Sequence, residues 1–329
     1  MKMKLHIITI ILLTAGLISM DAFGQSEDDK AGSVGFQFLN LGYGARPTAM
    51  GQAYTSMVDD ALAVFWNPGG LGLVENISIS FTHSEYLVDT RYEAAAAAFV
   101  VEDIGTFAIG ITVLDYGDII ETDFPAIGES DPRTGNILDA SDIAIGVSYA
   151  RKLSEKFSLG FTAKYFQEDL AGVTGGGIAF DVGTIFDTGY RGLKIGASMN
   201  NFGPDVSFSG NGFEETDTYT PEKIPLPQAF RIGVSMDTRS FTQSENVVIT
   251  GSVDLLKNAN SVQRFPAGIE AKFANVLMLR GGYTFGHDEG SYSVGAGVHV
   301  SKFKLDYSMS KLDDFDASEI QRFSIGIEL

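Results

Sequence analysis

The 329-residue chain has no cysteine. That excludes disulfides, thiolate metal ligands and a lipid anchor on a modified cysteine, so an exported chain of this kind must be stabilised by other means. Histidine is scarce: beyond the first 24 residues there are His83, His287 and His299 only. No Gly-x-Ser-x-Gly elbow accompanies His83-Ser84 or His287-Asp288, and no metal-ligand spacing is present. The glycines of GGGIAF at 175–180 follow no strand–helix unit and make no nucleotide loop. The reading is therefore non-enzymatic, with no cofactor and no metal. Basic residues are few, 23 Lys and Arg against 42 Asp and Glu, for a net charge of −19. This argues against nucleic-acid partners and against a basic patch for anionic lipid. After residue 24 no apolar run approaches the about 20 residues of a membrane-spanning helix.

What is present starts with MKMKLHIITIILLTAGLISMDAFGQ. Lys2 and Lys4 precede an apolar run from Leu5 to Leu17, and the small residues Ala22 and Gly24 follow on either side of Phe23. This pattern predicts a secretory signal peptide over 1–24. Despite its charge the chain is 44% hydrophobic, with 38 Gly, 24 Phe and 12 Tyr.

Most of the remainder alternates. In DIAIGVSYA, Ile143, Ile145, Val147 and Tyr149 oppose Ala144, Gly146, Ser148 and Ala150; KFSLGFTAKY and SYSVGAGVHV read the same way. Side chains alternate across a strand, so each run has one greasy face and one of Gly, Ser, Ala and Thr. A soluble sandwich would put charged, bulky residues on its second face. The small face fits a narrow or plugged barrel interior, with lipid outside.

About 14 such runs occur: near 77–86, 91–101, 104–114, 141–151, 156–167, 177–187, 191–201, 228–238, 246–256, 264–273, 275–285, 291–300, 302–310 and 320–329. The expected fold is all-β, a closed transmembrane antiparallel barrel over 76–329. Connections after even-numbered runs are short, whereas 115–140 and 202–227 are long and acidic. Barrels with short periplasmic turns and long external loops would then have both termini in the periplasm of a Gram-negative bacterium. Outer-membrane lipid and lipopolysaccharide are the expected surroundings. The last run, QRFSIGIEL, places Phe323, Ile325, Ile327 and Leu329 on one face at a closing strand.

Residues 25–75 do not alternate for long and read as an N-terminal periplasmic extension and partly helical luminal hatch. Asp59-Asp60 are placed to cap a short helix. Pro68 denies that helix a continuation after Trp66-Asn67, and Gly69-Gly70 permits a tight turn into the first strand. Trp66 would wedge the hatch into the lumen. Arg46 cannot remain unpaired in a low-dielectric lumen, so it is expected to pair with Asp59, Asp60, Asp181 or Glu93. Arg46, Asp59, Asp60, Trp66, Asn67, Pro68 and Gly69 are thus the candidate hatch and gating residues, with plug anchoring the main role of Arg46.

LGYGARPTAMGQAYTSMVDDALAVFWNPGGL carries Gly44-Ala45-Arg46, Ala49-Met50-Gly51, Asp59-Asp60-Ala61 and Trp66-Asn67-Pro68-Gly69-Gly70-Leu71. This set resembles the N-terminal signature of the PorV/PorQ family, which is related to the FadL-type fatty-acid transporters; that signature more often has Ala where Gly69 stands. The resemblance implies a 14-stranded FadL-like barrel with a hatch. It also implies service in type IX protein secretion, by binding a translocon barrel and the C-terminal domains of secreted cargo. The alternative it carries is FadL-like uptake of hydrophobic small molecules such as fatty acids.

Overall fold

The computed structural model describes residues 32–86, 89–122, 132–210, 222–242, 246–286, 291–311 and 319–329. Its strands are β1 (Ile77–Glu85), β2 (Arg91–Val101), β3 (Gly105–Asp115), β4 (Ile119–Thr122), β5 (Arg133–Leu138) and β6 (Ala140–Ser154). There follow β7 (Phe157–Leu170), β8 (Val173–Asp187), β9 (Lys194–Phe202), β10 (Ser209–Gly210), β11 (Ala229–Asp237) and β12 (Val247–Asn258). The last are β13 (Phe265–Phe273), β14 (Leu277–Phe285), β15 (Ser291–Val300), β16 (Phe303–Lys311) and β17 (Glu319–Glu328).

Fourteen of them form one closed antiparallel wall in chain order, omitting β4, β5 and β10. Closure is made by β17 on β1, from Ser78 opposite Glu328 to Glu85 opposite Gln321. Closing the sheet leaves no long edge for aggregation. The short connections and Leu329 share one end of the barrel, here the turn end. The connections 115–140 and 202–229 lie at the other, the loop end. There β4 and β5 pair as a small hairpin that continues β3 and β6 outward. Asp123, Glu129 and Asp131 of that acidic connection, and His287, lie outside the described residues.

The two faces of each strand have different neighbours. On β3, Ile109 is 51% exposed while Ala108 beside it is 3% exposed. The greasy set points out and the small set points in around the whole wall. A water-soluble chain rarely exposes a contiguous apolar patch beyond about a few hundred Å². Here nearly every wall strand contributes exposed Ile, Val, Leu or Phe, so the belt is a lipid-facing surface. Aromatic rings border it at both ends, as interfacial girdles do. Phe99, Phe107 and Tyr149 stack across β2, β3 and β6 near the turn end, with centroids 5.8 and 5.1 Å apart. Tyr283 and Phe285 meet at 4.6 Å near the loop end.

The core is the lumen, filled by residues 34–74. A 3₁₀ turn over Gln37–Asn40, helices Ala45–Ala49 and Ala63–Trp66, and a 3₁₀ turn over Pro68–Leu73 make up the hatch. The small inner face of the wall now has a physical reason. A Cβ on Gly160 would lie 2.2 Å from the Pro68 carbonyl oxygen, and one on Gly183 only 2.0 Å from Asn67 Oδ1. Hatch backbone rests directly on wall backbone, at a distance no side chain permits.

Candidate functional site: the luminal hatch and an interrupted wall

The hatch crosses the lumen from the loop end to the turn end. Gly35 N donates to Pro225 O at 3.2 Å and Asn40 Nδ2 to Pro227 O at 2.8 Å, both in the β9–β11 connection. Its exit into β1 at Ile77 is at the turn end, beside Leu329. Among the described residues, the first turns of the hatch thus lie at the loop end, while β1 and Leu329 meet at the turn end. Connection lengths report strand direction, and carry no information on a segment that is not a strand.

The joint between hatch and wall is built on Asn67, which is fully buried. Its Nδ2 donates to Thr55 O at 2.8 Å and Thr184 O at 3.0 Å, and its Oδ1 accepts from Gly69 N at 3.0 Å. One side chain thus caps the Pro68–Leu73 turn and ties it both to the hatch and to β8. Pro68 occupies the first position of that turn, where its missing N–H costs nothing. The tight reversal expected at Gly69-Gly70 is replaced by this 3₁₀ turn. Neither glycine adopts positive φ. What they supply is the absence of a Cβ: at Gly69 it would meet Thr184 Cα at 2.7 Å, and at Gly70 the Val58 Cγ1 at 2.6 Å. In this chain Ala does not fit at 69 without movement of β8.

Trp66 is buried within the hatch. Its Nε1 donates to Tyr43 O at 2.9 Å, and its ring packs edge-on to Tyr54. The Arg231 guanidinium of β11 lies 4.9 Å from the ring centroid, a cation–π contact from the wall.

Arg46 centres a chain of charges nearer the turn end. Its Nη1 donates to Asp59 Oδ1 at 2.9 Å and to Tyr54 OH at 3.0 Å. Its Nε and Nη2 donate to the two oxygens of Glu270, at 3.0 and 3.2 Å. Glu270 also accepts from Arg280 Nε at 2.7 Å, and Arg280 Nη1 reaches Asp306 Oδ1 at 2.6 Å. The fork-to-fork geometry of Arg46 and Glu270 is the strong form of the ion pair. The expected Arg46–Asp59 pair is present. Asp60 is not in that pair: its Oδ1 accepts from Leu62 N at 3.0 Å in the turn ahead of helix Ala63–Trp66, whose N-terminus has no side-chain cap. Asp181 is claimed by Lys164 at 2.8 Å. Glu93 does not face the lumen: it shares the outward face of β2 with Ala95 and Ala97, and pairs with His83 at 2.7 Å. Its register puts it one residue off the inner set begun by Tyr92.

Glu270 was not singled out in the sequence. The signal that finds it is register: Glu270 stands on the small face of its run and directly opposite Arg280 in the β13–β14 ladder, so two opposite charges point inward together.

One seam of the wall is incomplete. β8 and β9 pair from Asp187–Lys194 to Val182–Met199, then slip; Phe180 is opposite Phe202, with an extra residue on β9. Asn201, at φ 62°, turns this bulge, and its N–H donates to Asp181 Oδ1 at 2.7 Å. Bulges bend the strand and end its pairing. Beyond it, β9 leaves β8, which among the described residues is joined again only at Val173 and Thr174 by β10. Side chains stopper the interval: Phe208 stacks on Phe36 of the hatch with centroids 5.2 Å apart, and Phe36 meets Phe166 at 4.9 Å. A polar knot locks it. Asn201 Nδ2 donates to Asn40 Oδ1 at 2.9 Å, and Lys164 Nζ donates to Asn201 Oδ1 at 2.7 Å.

Small cavities line the hatch among the described residues. One of about 10 Å³ is bounded by Tyr43, Trp66 and Arg231, and one of about 20 Å³ by Leu39, Phe65 and Gly110. At the turn end lie one of about 20 Å³ beside Asp60 and Lys304, and one of about 50 Å³ beside Asp59 and Lys272. Each is far below the roughly 150 Å³ that holds a benzene ring.

Fold and site together define a hatch-plugged transmembrane β-barrel of outer-membrane type. Solved structures agree. The toluene transporter TodX of Pseudomonas putida is similar with a TM-score of 0.55 at 12% identity, over 87% of this chain and 97% of that one. Its deltaS2S3 mutant, described as a monoaromatic hydrocarbon channel, gives 0.52 at 12%, over 88% and 99%. A FadL homologue of Pseudomonas aeruginosa gives 0.50 at 10%, over 86% and 98%. The fold is FadL-like. No family model and no curated protein matches the chain, so the PorV/PorQ resemblance rests on its motif residues.

Proposed function

We propose that this chain is a non-catalytic channel of a Gram-negative outer membrane that passes hydrophobic small molecules, its turn end in the periplasm. The observation that carries this is the β8–β9 interruption, where side chains of the wall and the hatch take the place of ladder pairing. A gap at a bulged strand gives an apolar solute a lateral exit from lumen to lipid without crossing water. The similar toluene transporter and FadL homologue support the same reading. In it, Arg46 and Asn67 hold the hatch at the turn end while Asn40 and Phe36 are withdrawn from the gap.

A second reading is favoured by the packed lumen. The cavities beside the hatch, of 10–50 Å³, are each too small for a benzene ring. A barrel that binds secreted cargo and a type IX translocon through its loop end needs no open lumen.

The test uses the lack of native cysteine. Asn40→Cys with Asn201→Cys, joined by a short cleavable thiol crosslinker, pins the hatch across the gap in proteoliposomes. Entry of a hydrophobic fluorophore is expected to fall at least tenfold and return on cleavage. Flux unchanged by crosslinking refutes the lateral route. Cargo C-terminal domains co-purifying from native membranes, with no flux in any state, would establish the second reading.

A further inference from the structure

Two buried side chains of the inner wall hold donors that nothing in the protein accepts. Ala229 of β11 is opposite Asn200 of β9, and Arg231 is opposite Ser198. Asn200 and Arg231 therefore stand on one diagonal of the inner face, within reach of each other through the long arginine side chain. Arg231 is 6% exposed and Asn200 5%. Neither Arg231 Nη1 nor Asn200 Nδ2 has a hydrogen-bond partner among the described residues. Burial of an unmade donor is costly, and burial of a guanidinium without an anion more so.

Both side chains line the cavity of about 10 Å³ beside Trp66. The other polar side chains around it are already engaged. Asn40 donates from Nδ2 to Pro227 O and accepts at Oδ1 from Asn201. Tyr43 OH donates to Leu39 O at 3.1 Å, and Trp66 Nε1 to Tyr43 O at 2.9 Å. Ser198 Oγ donates to Asn200 Oδ1 at 3.0 Å, so the acceptor end of that amide is taken and its donor end is not. What remains is two donors, one of them charged. The carboxylates that act on this region from outside the cavity, Asp254 and Asp181, are engaged as well. Asp254 Oδ2 accepts from Tyr54 N and Thr55 N at 3.1 and 3.0 Å, and Asp181 is paired with Lys164 at 2.8 Å. Arg264 adds a second positive charge to the surroundings of Arg231.

We propose that this cavity seats a single-atom anion, a halide, between hatch and wall. Donors without a free acceptor are the wrong set for a metal cation. Room for about one water-sized sphere leaves out carboxylate, phosphate and sulfate. A chloride ion is only slightly wider than a water, and part of the border of the seat is the Leu41 and Phe65 side chains. Bound there, the ion satisfies donors of β9 and β11 together and lies against the Trp66 ring. It fastens the hatch next to Asn201, where the wall is interrupted. The site is independent of what passes through the barrel.

The test uses Trp66, which is 2% exposed and whose ring lies 4.9 Å from the Arg231 guanidinium. Bromide quenches an indole that it touches. Purified full-length barrel in sodium sulfate is titrated with sodium bromide at constant ionic strength. Trp66 emission is expected to fall along a saturating curve, and chloride added against fixed bromide is expected to restore it. Arg231→Met removes the charged donor and should raise the half-saturating bromide concentration about tenfold or more. Asn200→Val leaves the Arg231–Trp66 contact in place and should raise it as well. Each variant is referred to its own emission in sulfate, and heat-modifiable gel mobility checks that it is folded. Should Arg231→Met not fold, Asn200→Val carries the comparison. Quenching that stays linear in bromide, that chloride does not reverse, or that persists unchanged in a folded variant would each overturn the assignment and leave water as the occupant.

Discussion

Trp66 is the only tryptophan of the chain and lies in the hatch, so its fluorescence reports the hatch and its seat against Arg231 of the wall. This permits a direct measurement of the Arg46–Glu270 tie. The Glu270 side chain is fully buried and accepts from two guanidiniums, those of Arg46 and Arg280. Breaking a buried pair by removing one partner costs about 3–5 kcal/mol, because a charge is stranded. Arg46→Met strands less than Glu270→Gln does. It leaves Glu270 on Arg280, while Asp59 is half-exposed, at 43%, and can be hydrated. Glu270→Gln instead leaves two guanidiniums sharing one neutral amide. We therefore expect about 3 kcal/mol for Arg46→Met and about 5 kcal/mol for Glu270→Gln. With a urea slope of about 1 kcal/mol/M for a segment this short, the Trp66 transition should move down by about 3 M in the first variant. Acrylamide quenching of Trp66 in proteoliposomes follows the hatch; heat-modifiable mobility follows the wall. A Trp66 midpoint shifted by under about 0.5 M would falsify the buried-pair account. Hatch and wall melting together with one shared shift would show that Arg46 supports the whole barrel instead.

Three further outcomes follow from the same geometry. Asn67→Ala leaves the Thr55 and Thr184 carbonyls and the Gly69 N–H without their partner, and should loosen the hatch by about 3 kcal/mol, read by Trp66 quenching. Gly183→Ala drives a methyl into Asn67 Oδ1 and should cost about 1–3 kcal/mol by overpacking, whereas Gly281→Ala on β14, with open space around its Cβ, should be silent in the same titration. On the β4–β5 hairpin, Thr134 and then Asn136 donate to Glu121 and hold its carboxyl below the ordinary carboxylate range. Its contribution is thus present above that range and fades as pH falls through the lowered value; a carboxyl-carbon NMR titration showing an ordinary midpoint would contradict this.

The wall was legible because lipid outside and a plug inside impose opposite demands on alternate residues, as Ile109 and Gly110 display. All fourteen strand runs are found within a few residues of their expected limits. The hatch was legible only where residue chemistry is local. Pro68 and Asn67 announce the end of a helix, but the space needed by Gly69 depends on Thr184, over a hundred positions away. Arg46 announces a need for an anion. Which anion answers is decided by barrel register, which brings Glu270 in and turns Glu93 out. The β9 bulge carries no residue pattern of its own: Asn200-Asn201 reads as an ordinary strand end, and only the ladder on both sides shows the slip.

The closing seam has one more consequence. β1 and β17 meet each other, and both also meet the hatch: Ser78 Oγ accepts from Ala61 N at 3.0 Å, and Ser324 Oγ from Ala45 N at 2.8 Å. The segment that fills the lumen thus spans the very line along which the sheet is sewn shut. It can serve as a mandrel, touching both strands that must meet for the cylinder to close. Inserted without residues 32–74, the wall is expected to close at mixed strand register. The hatch would then be needed to make the barrel before it is needed to block it.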